Sequence, residues 1–252
     1  MTNTSILRRM TMKIETLKQA LLSLHLKAMV EILEETLQKG QTDNLSHADL
    51  LQLLASHEIA ARDERRVKTR LAQANFPVTK TLDAFDFSFP KSINKPQILG
   101  LFDLHFIEKK ENAILMGPPG TGKTHIGLAL GYHACQHGIK TLFTTAMNLI
   151  NQLSASLADH SFLKAMKLFT SPSLLIIDEL GYLPVDKQGA ELLFQVISNR
   201  YECGSIVVTT NRAFRDWGAI LNNDNTLASA MIDRLVHHGA LVQIKGDSYR
   251  VK

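Results

Sequence analysis

The octapeptide Gly117-Pro-Pro-Gly-Thr-Gly-Lys-Thr124 limits the possible folds of this 252-residue chain more than any other feature of the sequence. It matches G-x-x-x-x-G-K-[ST], a pattern in which a glycine-rich loop turns its backbone N–H groups toward phosphate oxygens. Such a loop must join a buried strand to the amino end of a helix, where the helix dipole also favours an anion. The apolar stretch NAILM precedes the octapeptide and HIGLALGYHACQHG follows it, as this placement requires.

The predicted phosphate site extends over the loop and the first residue after it. Lys123 is expected to reach the β- and γ-phosphates of a nucleoside triphosphate, and the Thr124 hydroxyl to hold Mg²⁺. A glycine-rich turn without a ligand is the alternative, and the strand and helix on either side disfavour it. The binding residues predicted are Gly117, Pro118, Pro119, Gly120, Thr121, Gly122, Lys123, Thr124 and His125.

A carboxylate on a second strand completes this prediction. The stretch LLIIDE has four apolar residues, typical of a buried strand, and Asp178 follows at the end where ligands bind in parallel sheets. Asp178 is expected to share Mg²⁺ with Thr124, and Glu179 to polarise an attacking water. A third strand, SIVVTTN, ends in Asn211, which either contacts the γ-phosphate or forms the turn after the strand.

Short apolar runs alternate with helical patterns from residue 112 onward. The strands NAILM, TLFTT, SLLIID, SIVVTTN and ALVQIKG are each separated by helices. This order predicts an α/β fold with a parallel sheet flanked by helices. Before it, apolar spacings of three to five predict one helix over 14–38, closed by Gly40, and a second from about Ser46 to residue 74. We therefore expect a helical domain, 1–75, and a nucleotide-binding domain, 76–252, which begins with an extended, proline-containing connector.

Composition and charge indicate where the protein is located and what kinds of partner it can bind. Apolar runs of about four residues are far too short for a membrane helix, and the first residues lack the apolar core of a signal peptide. Cys135 and Cys203 do not suggest a disulfide framework and fit a reducing cytoplasm. The net charge of +4 permits a polyanionic partner without requiring one.

Taken together, these stretches resemble the AAA+ ATPases. The whole chain is similar to the IstB-type transposition helper ATPases, relatives of the DnaC-type helicase loaders. The resemblance covers almost the full length and rests on NFPVTKTLDAFDF, NAILMGPPGTGKTHIGLALG, LLIIDELGYLP, VVTTNRAF-x-x-WG, and IDRLVHH followed by GDSYR. It implies that Gly117–Thr124 is Walker A, Asp178 with Glu179 Walker B, and Asn211 sensor 1.

The resemblance also implies roles that the residues alone do not indicate. Arg234 falls where the family places an arginine finger, which completes the site of a neighbouring subunit, and Arg250 where a sensor 2 arginine would lie. The implied activity is Mg²⁺-dependent hydrolysis of ATP to ADP and phosphate, with ATP-dependent self-association on duplex DNA and recruitment of a transposase. A DnaC-like helicase loader is the nearer alternative. A metabolite kinase is a remote one, because the carboxylate pair and terminal arginines speak against it.

Two groups of basic residues are candidates for DNA contacts. Arg62, Arg65, Arg66 and Arg70 share one helical face, which is either a phosphate-binding surface or a solvated face with internal Glu–Arg pairs. Lys164 and Lys167 lie between TLFTT and SLLIID, where the resemblance implies two helices that face DNA. Since the sequence shows no base-reading element, we expect weak sequence preference and an affinity that falls steeply with salt.

Two histidine-containing groups are set aside as metal ligands. His133 and His137 share a helix face that Cys135 does not. His237 and His238 are adjacent in a helical pattern and are expected to diverge on its surface.

Overall fold

The computed structural model describes residues 3–90 and 92–249, with side chains from residue 12 onward. The chain divides into two compact units, residues 1–68 and 69–252, which we call the helical unit and the α/β unit. The boundary predicted near residue 75 stays a prediction. Across the described residues, no helix combines the length and apolar character that crossing a bilayer requires.

The helical unit begins with a hairpin rather than one long helix. Helix α1 spans Asn3–Ser23 and α2 spans Lys27–Thr42, so the single helix predicted over 14–38 is wrong. His25 adopts a left-handed φ of 59° between them, which reverses the chain, and the Lys18 ammonium contacts the Glu34 carboxylate across the hairpin. Gly40 lies inside α2 rather than closing it. Glycine suits this position because a Cβ there would come within 2.5 Å of the Leu50 side chain.

Helix α3 spans His47–Gln73 and starts as the sequence predicts. The Ser46 hydroxyl accepts the Asp49 N–H at 3.2 Å, and the Asp49 carboxylate accepts the Ser46 N–H at 3.1 Å. This reciprocal pair satisfies backbone donors that the first helical turn leaves unpaired.

The α/β unit contains the predicted sheet. Its strands are β1 Ser92–Ile93, β2 Asn112–Met116, β3 Thr141–Thr145, β4 Leu174–Leu180, β5 Ser205–Thr210 and β6 Gly239–Lys245. Their order is β1-β6-β2-β5-β4-β3, and every neighbouring pair is parallel except β1 with β6. The predicted α/β fold with a parallel sheet is confirmed.

Helices cover both faces of this sheet. They are α4 Lys95–Phe102, α5 His105–Glu108, α6 Lys123–Gln136, α7 Ala146–Ala158, α8 Phe162–Thr170, α9 Lys187–Arg200, α10 Trp217–Ile220 and α11 Asn225–Val236, with a 3₁₀ turn at Phe214–Asp216. Leu175 and Ile177 of β4 pack in one core with residues of α7, α9 and α11. Leu174 and Ile176 pack in the other core with residues of α6. Two buried faces explain why the strands read as continuous apolar runs.

Topology fixes where the candidate site can lie. Strand β5 lies between β2 and β4, and all three run in the same direction. Their carboxyl ends therefore meet at one edge of the sheet, where ligands bind in folds of this type. The phosphate loop follows β2, Asn211 follows β5, and Asp178 lies near the end of β4.

Candidate nucleotide-binding site

The phosphate loop has the backbone conformation that its glycines allow. Gly120 and Gly122 adopt φ values of 76° and 89°, which other residues seldom adopt. At Gly117, a Cβ would lie 2.2 Å from the backbone oxygen of Ile244 in β6. These glycines let the loop curl tightly between β2 and α6.

Two side chains of the loop donate hydrogen bonds to its own backbone. The Lys123 ammonium donates to the Pro118 carbonyl at 2.7 Å, and the Thr121 hydroxyl donates to the same oxygen at 2.8 Å. Lys123 is mostly buried. Its charge therefore lies within the loop, at the amino end of α6, where the helix dipole adds to the positive potential.

The two predicted Mg²⁺ ligands lie in contact. The Thr124 hydroxyl donates to Asp178 Oδ1 at 3.0 Å, although 54 residues separate them in the chain. Asp178 is only 4% exposed. A hydroxyl and a carboxylate oxygen are hard donors suited to Mg²⁺, so this pair fits the ion that the sequence predicts.

Thr209 completes this cluster, and sequence reasoning missed it. Its hydroxyl donates to Asp178 Oδ1 and accepts the backbone N–H of Glu179 at 3.0 Å. Glu179 itself is exposed at the same sheet edge. Two threonine hydroxyls thus converge on one carboxylate oxygen, beside a second carboxylate that solvent can reach.

Asn211 lies at the same edge, directly after β5, and is half-buried. The backbone around it is fixed on both sides. The Thr210 carbonyl accepts the Gly117 N–H at 3.1 Å, and the Thr210 hydroxyl donates to the Leu180 carbonyl at 2.7 Å. Residue 211 therefore follows a strand end held against both the phosphate loop and β4.

A cavity of about 600 Å³ opens beside the loop. One wall is the loop with the start of α6, and the opposite wall comes from the connector before β1 and from the end of the chain. The residues of that opposite wall include Val78, Lys80, Phe85, Asp86, Phe89 and Tyr249. The sequence did not predict this wall.

The connector is fastened to the loop by direct contacts. His125 Nε2 lies 2.9 Å from the Thr81 carbonyl, and its ring meets Phe85 edge-on at 5.4 Å. A Cβ on Gly122 would come within 2.5 Å of Phe85. The alternating Phe85, Phe87 and Phe89 are the signal that could have revealed this role, because apolar residues repeated in a loop need a surface to cover.

Arg234 lies beside the amino end of β2, at the opposite end of that strand from the phosphate loop. Its backbone carbonyl accepts a hydrogen bond from Nδ2 of Asn112, the first residue of β2, at 3.3 Å. Its guanidinium packs over the Phe194 ring at 4.8 Å and donates to the Ala230 carbonyl at 2.9 Å. Arg250 lies outside the described residues.

Three arginines of α3 form ion pairs with acidic residues of the same helix. Arg62 and Arg65 both donate to Glu58 Oε1, at 2.8 and 3.3 Å, and Arg66 donates to Asp63 at 3.2 Å. These are the internal pairs that the sequence left open as an alternative to DNA contacts. In the α/β unit, Arg70 donates to the Cys135 carbonyl at 3.4 Å.

Lys164 and Lys167 lie on α8, the second of the two helices between β3 and β4 that the resemblance implies. Both side chains are exposed. Leu163 beside them is 83% exposed, and Leu168 is exposed as well. The inner face of α8 is held by Met166 and Phe169, which are buried in the core.

The histidine pairs are arranged differently from one another. His133 and His137 have ring centroids 4.1 Å apart, whereas Cys135 is buried, and burial raises the pKa of its thiol. His237 and His238 do not diverge as predicted, and they directly follow α11, which ends at Val236. Their ring centroids are 4.2 Å apart, and both histidines are exposed beside Glu202.

Solved structures with the same fold support this description. The α/β fold resembles the DnaC helicase loader, with 22% identity, a TM-score of 0.54, and coverage of 66% of this chain and 96% of that chain. It also resembles DnaI, with 16% identity, a TM-score of 0.57, and coverage of 66% and 91%. With the phosphate loop and the Asp178 cluster, this likeness identifies the α/β unit as a P-loop fold of the AAA+ class.

The family follows from the sequence of the whole chain. A profile of the IstB-like ATP-binding proteins matches residues 19–252, and the chain belongs to this family. It is 41% identical to a protein of Geobacillus stearothermophilus designated the ATP-binding protein of insertion sequence IS5376, over 91% of each chain. It is 38% identical to the corresponding IS21 protein of Pseudomonas aeruginosa, over 95% of this chain and 89% of that one.

Proposed function

We propose that this protein is a cytoplasmic, Mg²⁺-dependent ATPase of a transposition system, whose nucleotide state controls its assembly on duplex DNA. The observation that carries the proposal is the hydrogen bond between Thr124 and Asp178, with Glu179 exposed beside it. Nucleotide binding alone needs only the phosphate loop. A second strand that brings a buried and an exposed carboxylate to that loop is suited to hydrolysis.

Each residue at the edge of the sheet has a distinct role in this proposal. Lys123 holds the β- and γ-phosphates, and Thr124 with Asp178 would hold Mg²⁺, which neutralises charge on the same phosphates. Glu179 orients the attacking water and Asn211 contacts the γ-phosphate. The cavity wall formed by Phe85, Phe89 and Tyr249 receives the base, for which aromatic side chains are suitable partners.

Arg234 completes the site of another subunit rather than its own. Strand β2 has Arg234 beside its first residue, Asn112, and the phosphate loop after its last. At roughly 3.3 Å per residue, the strand separates the two by about 16 Å, which is beyond the reach of an arginine side chain. An arginine that stabilises the γ-phosphate in trans couples hydrolysis to assembly.

The relatives support transposition rather than helicase loading. Several relatives matched over most of their length are designated ATP-binding proteins of insertion sequences. We therefore propose duplex DNA and a transposase as partners. Exposed Lys164 and Lys167 are candidates for contacts with DNA phosphates, whereas Arg62 and Arg65 already share Glu58.

Particle mass in solution tests the proposal directly. The native chain and Glu179→Gln are measured with duplex DNA, each with and without ATP and Mg²⁺. We expect large DNA-bound particles only with ATP. They should persist in Glu179→Gln and decay as the native chain consumes ATP, because hydrolysis removes the γ-phosphate that subunits share.

Glu191→Gln is the matched control, since Glu191 is an exposed glutamate on α9, 4.0 Å from the Lys187 ammonium. It should behave like the native chain in both mass and phosphate release. A chain that stays monomeric with ATP and DNA would contradict the assembly role. Phosphate release that Glu179→Gln leaves unchanged would contradict the hydrolytic role.

A further inference from the structure

The pairing of β4 with β5 changes register at the candidate site. Ile177 pairs with Val208 and Leu180 pairs with Thr210, so Asp178 and Glu179 together oppose the single residue Thr209. Two residues opposite one define a β-bulge, a feature that redirects side chains and recurs beside active sites.

The bulge contains both carboxylates of the site. Here Asp178 is buried, Glu179 is exposed and Leu180 is buried again, at the end of a strand whose preceding residues are all buried. Glu179 has a φ of 60°, a left-handed conformation that is unfavourable for a residue with a Cβ and that needs support from its surroundings.

Thr209 supplies that support from the opposite strand. Its hydroxyl accepts the Glu179 N–H at 3.0 Å, in place of the carbonyl that a regular ladder would offer. The same hydroxyl donates its one proton to Asp178 Oδ1. Thr209 is 1% exposed, so water does not easily substitute for either bond.

We propose that Thr209 is a positioning residue for ATP hydrolysis, which keeps Asp178 and Glu179 in the bulged geometry through its hydroxyl. The inference rests on the proposed function, because it assigns Thr209 a part in the reaction at that site. A hydroxyl is essential here since the group must accept from one neighbour and donate to the other. Valine has nearly the same shape and can do neither, whereas serine can do both.

The test compares Thr209→Val and Thr209→Ser with the native chain in steady-state ATP turnover. We expect Thr209→Val to lower kcat by about tenfold or more, as loss of a supporting hydrogen bond at a metal site commonly does. KM should change by less than about twofold, because the phosphate loop is untouched. Thr209→Ser should restore most of the lost kcat.

Thr144→Val is the matched control. Thr144 is a buried strand threonine, 4% exposed, whose hydroxyl donates to the Thr145 carbonyl at 3.2 Å. It should retain the native kcat. A Thr209→Val variant with native kcat would overturn the inference, as would a loss of kcat that Thr144→Val reproduces.

Hydrogen exchange of the Glu179 amide gives a second readout that does not depend on turnover. Thr209→Val should accelerate this exchange, while Thr209→Ser and Thr144→Val should not. Unchanged exchange in Thr209→Val would overturn the inference on its own. A native chain that does not hydrolyse ATP would contradict the proposed function instead, and accelerated exchange would still support the positioning of the bulge by Thr209.

Discussion

At the scale of single residues, Arg200 shows how a buried charge can be held by backbone alone. It ends α9, is 1% exposed, and donates to the carbonyls of Phe169, Pro172, Ser173 and Ser205 at 2.8–3.2 Å. Burial lowers its pKa to about 10, so the guanidinium is still protonated at neutral pH. One side chain thereby ties the end of α8 and the start of β4 to the start of β5.

Replacing this side chain should destabilise the α/β unit. Arg200→Met keeps an unbranched apolar stem but leaves buried carbonyls without donors, and we expect a loss of about 2–4 kcal/mol in the free energy of unfolding. Arg215→Met is the control, because Arg215 is exposed and its nearest carboxylate, on Asp216, is 3.7 Å away. Denaturant unfolding measures both variants, and equal losses would refute the role given to Arg200.

At the scale of elements, Glu58 joins two helices of the helical unit. It lies on α3, is 2% exposed, and accepts the backbone N–H groups of Ala28 and Met29 at the start of α2, at 2.8 and 3.2 Å. Burial raises its pKa, but hydrogen bonds from Arg62 and from these two amides outweigh it, and the pKa lies below its ordinary value. The carboxylate thus acts as a cap for α2 supplied by another helix.

This lowered pKa predicts a dependence of stability on pH. The folded form holds Glu58 ionised more strongly than the unfolded chain does, so its contribution is full above the ordinary pKa of 4.5 and is lost as pH falls through the lower folded pKa. Glu58→Gln should therefore lower the thermal midpoint at neutral pH and should differ less from the native chain in acid.

Thermal melts at neutral and at acidic pH, followed by the circular dichroism of the helices, measure the difference in thermal midpoint between Glu58→Gln and the native chain. Glu64→Gln is the control, since Glu64 is exposed on the same helix. A difference between Glu58→Gln and the native chain that stays constant with pH would contradict ionisation as its cause.

The elements also show what a sequence can and cannot reveal. Strands β2 to β6 were predictable because a sheet buried on both faces requires apolar runs such as LLII. The break at His25 was not, because the apolar period continues through it while a single φ reverses the chain. The pair of Glu58 and Arg62 has the spacing of four residues that a helix brings together, so the sequence allows it but does not decide between such pairs and contacts with DNA.

The candidate site also contains some residues that the sequence could predict and others that it could not. Asp178 was predictable because its place after a buried strand locates it at the sheet edge. Thr209 was not, since SIVVTTN does not indicate which threonine opposes a bulge that exists only when β4 and β5 are paired. The aromatic wall of the cavity was missed for a similar reason, because contacts between Phe85 and the loop residue Gly122 join segments distant in sequence.

At the scale of the whole molecule, the separation of Arg234 from its own phosphate loop makes a mixing experiment decisive. Arg234→Ala keeps an intact loop but lacks the arginine, and Glu179→Gln keeps the arginine but lacks the carboxylate that we propose orients water. Each should be nearly inactive alone. An equal mixture should recover about a quarter of the native turnover, because one interface in four joins an intact site to an intact arginine.

Phosphate release from the mixture, at constant total protein, measures this recovery. Mixing Glu179→Gln with Lys123→Ala is the control, because both variants damage the same half of the interface and should not complement each other. A mixture of Arg234→Ala and Glu179→Gln that is no more active than its components would contradict an arginine supplied in trans.

Because Arg234 and the phosphate loop lie at opposite ends of β2, the rate of ATP turnover should depend on whether the subunits form an open row or a closed ring. Joined head to tail, an open row of subunits always has one terminal site without an arginine, whereas a closed ring has none. Turnover per subunit should rise with the length of an open row and approach a limit. It should reach that limit in one step when a ring closes. The rate at which ATP is consumed would thus reveal whether the proposed assembly on DNA is a closed ring or an open spiral.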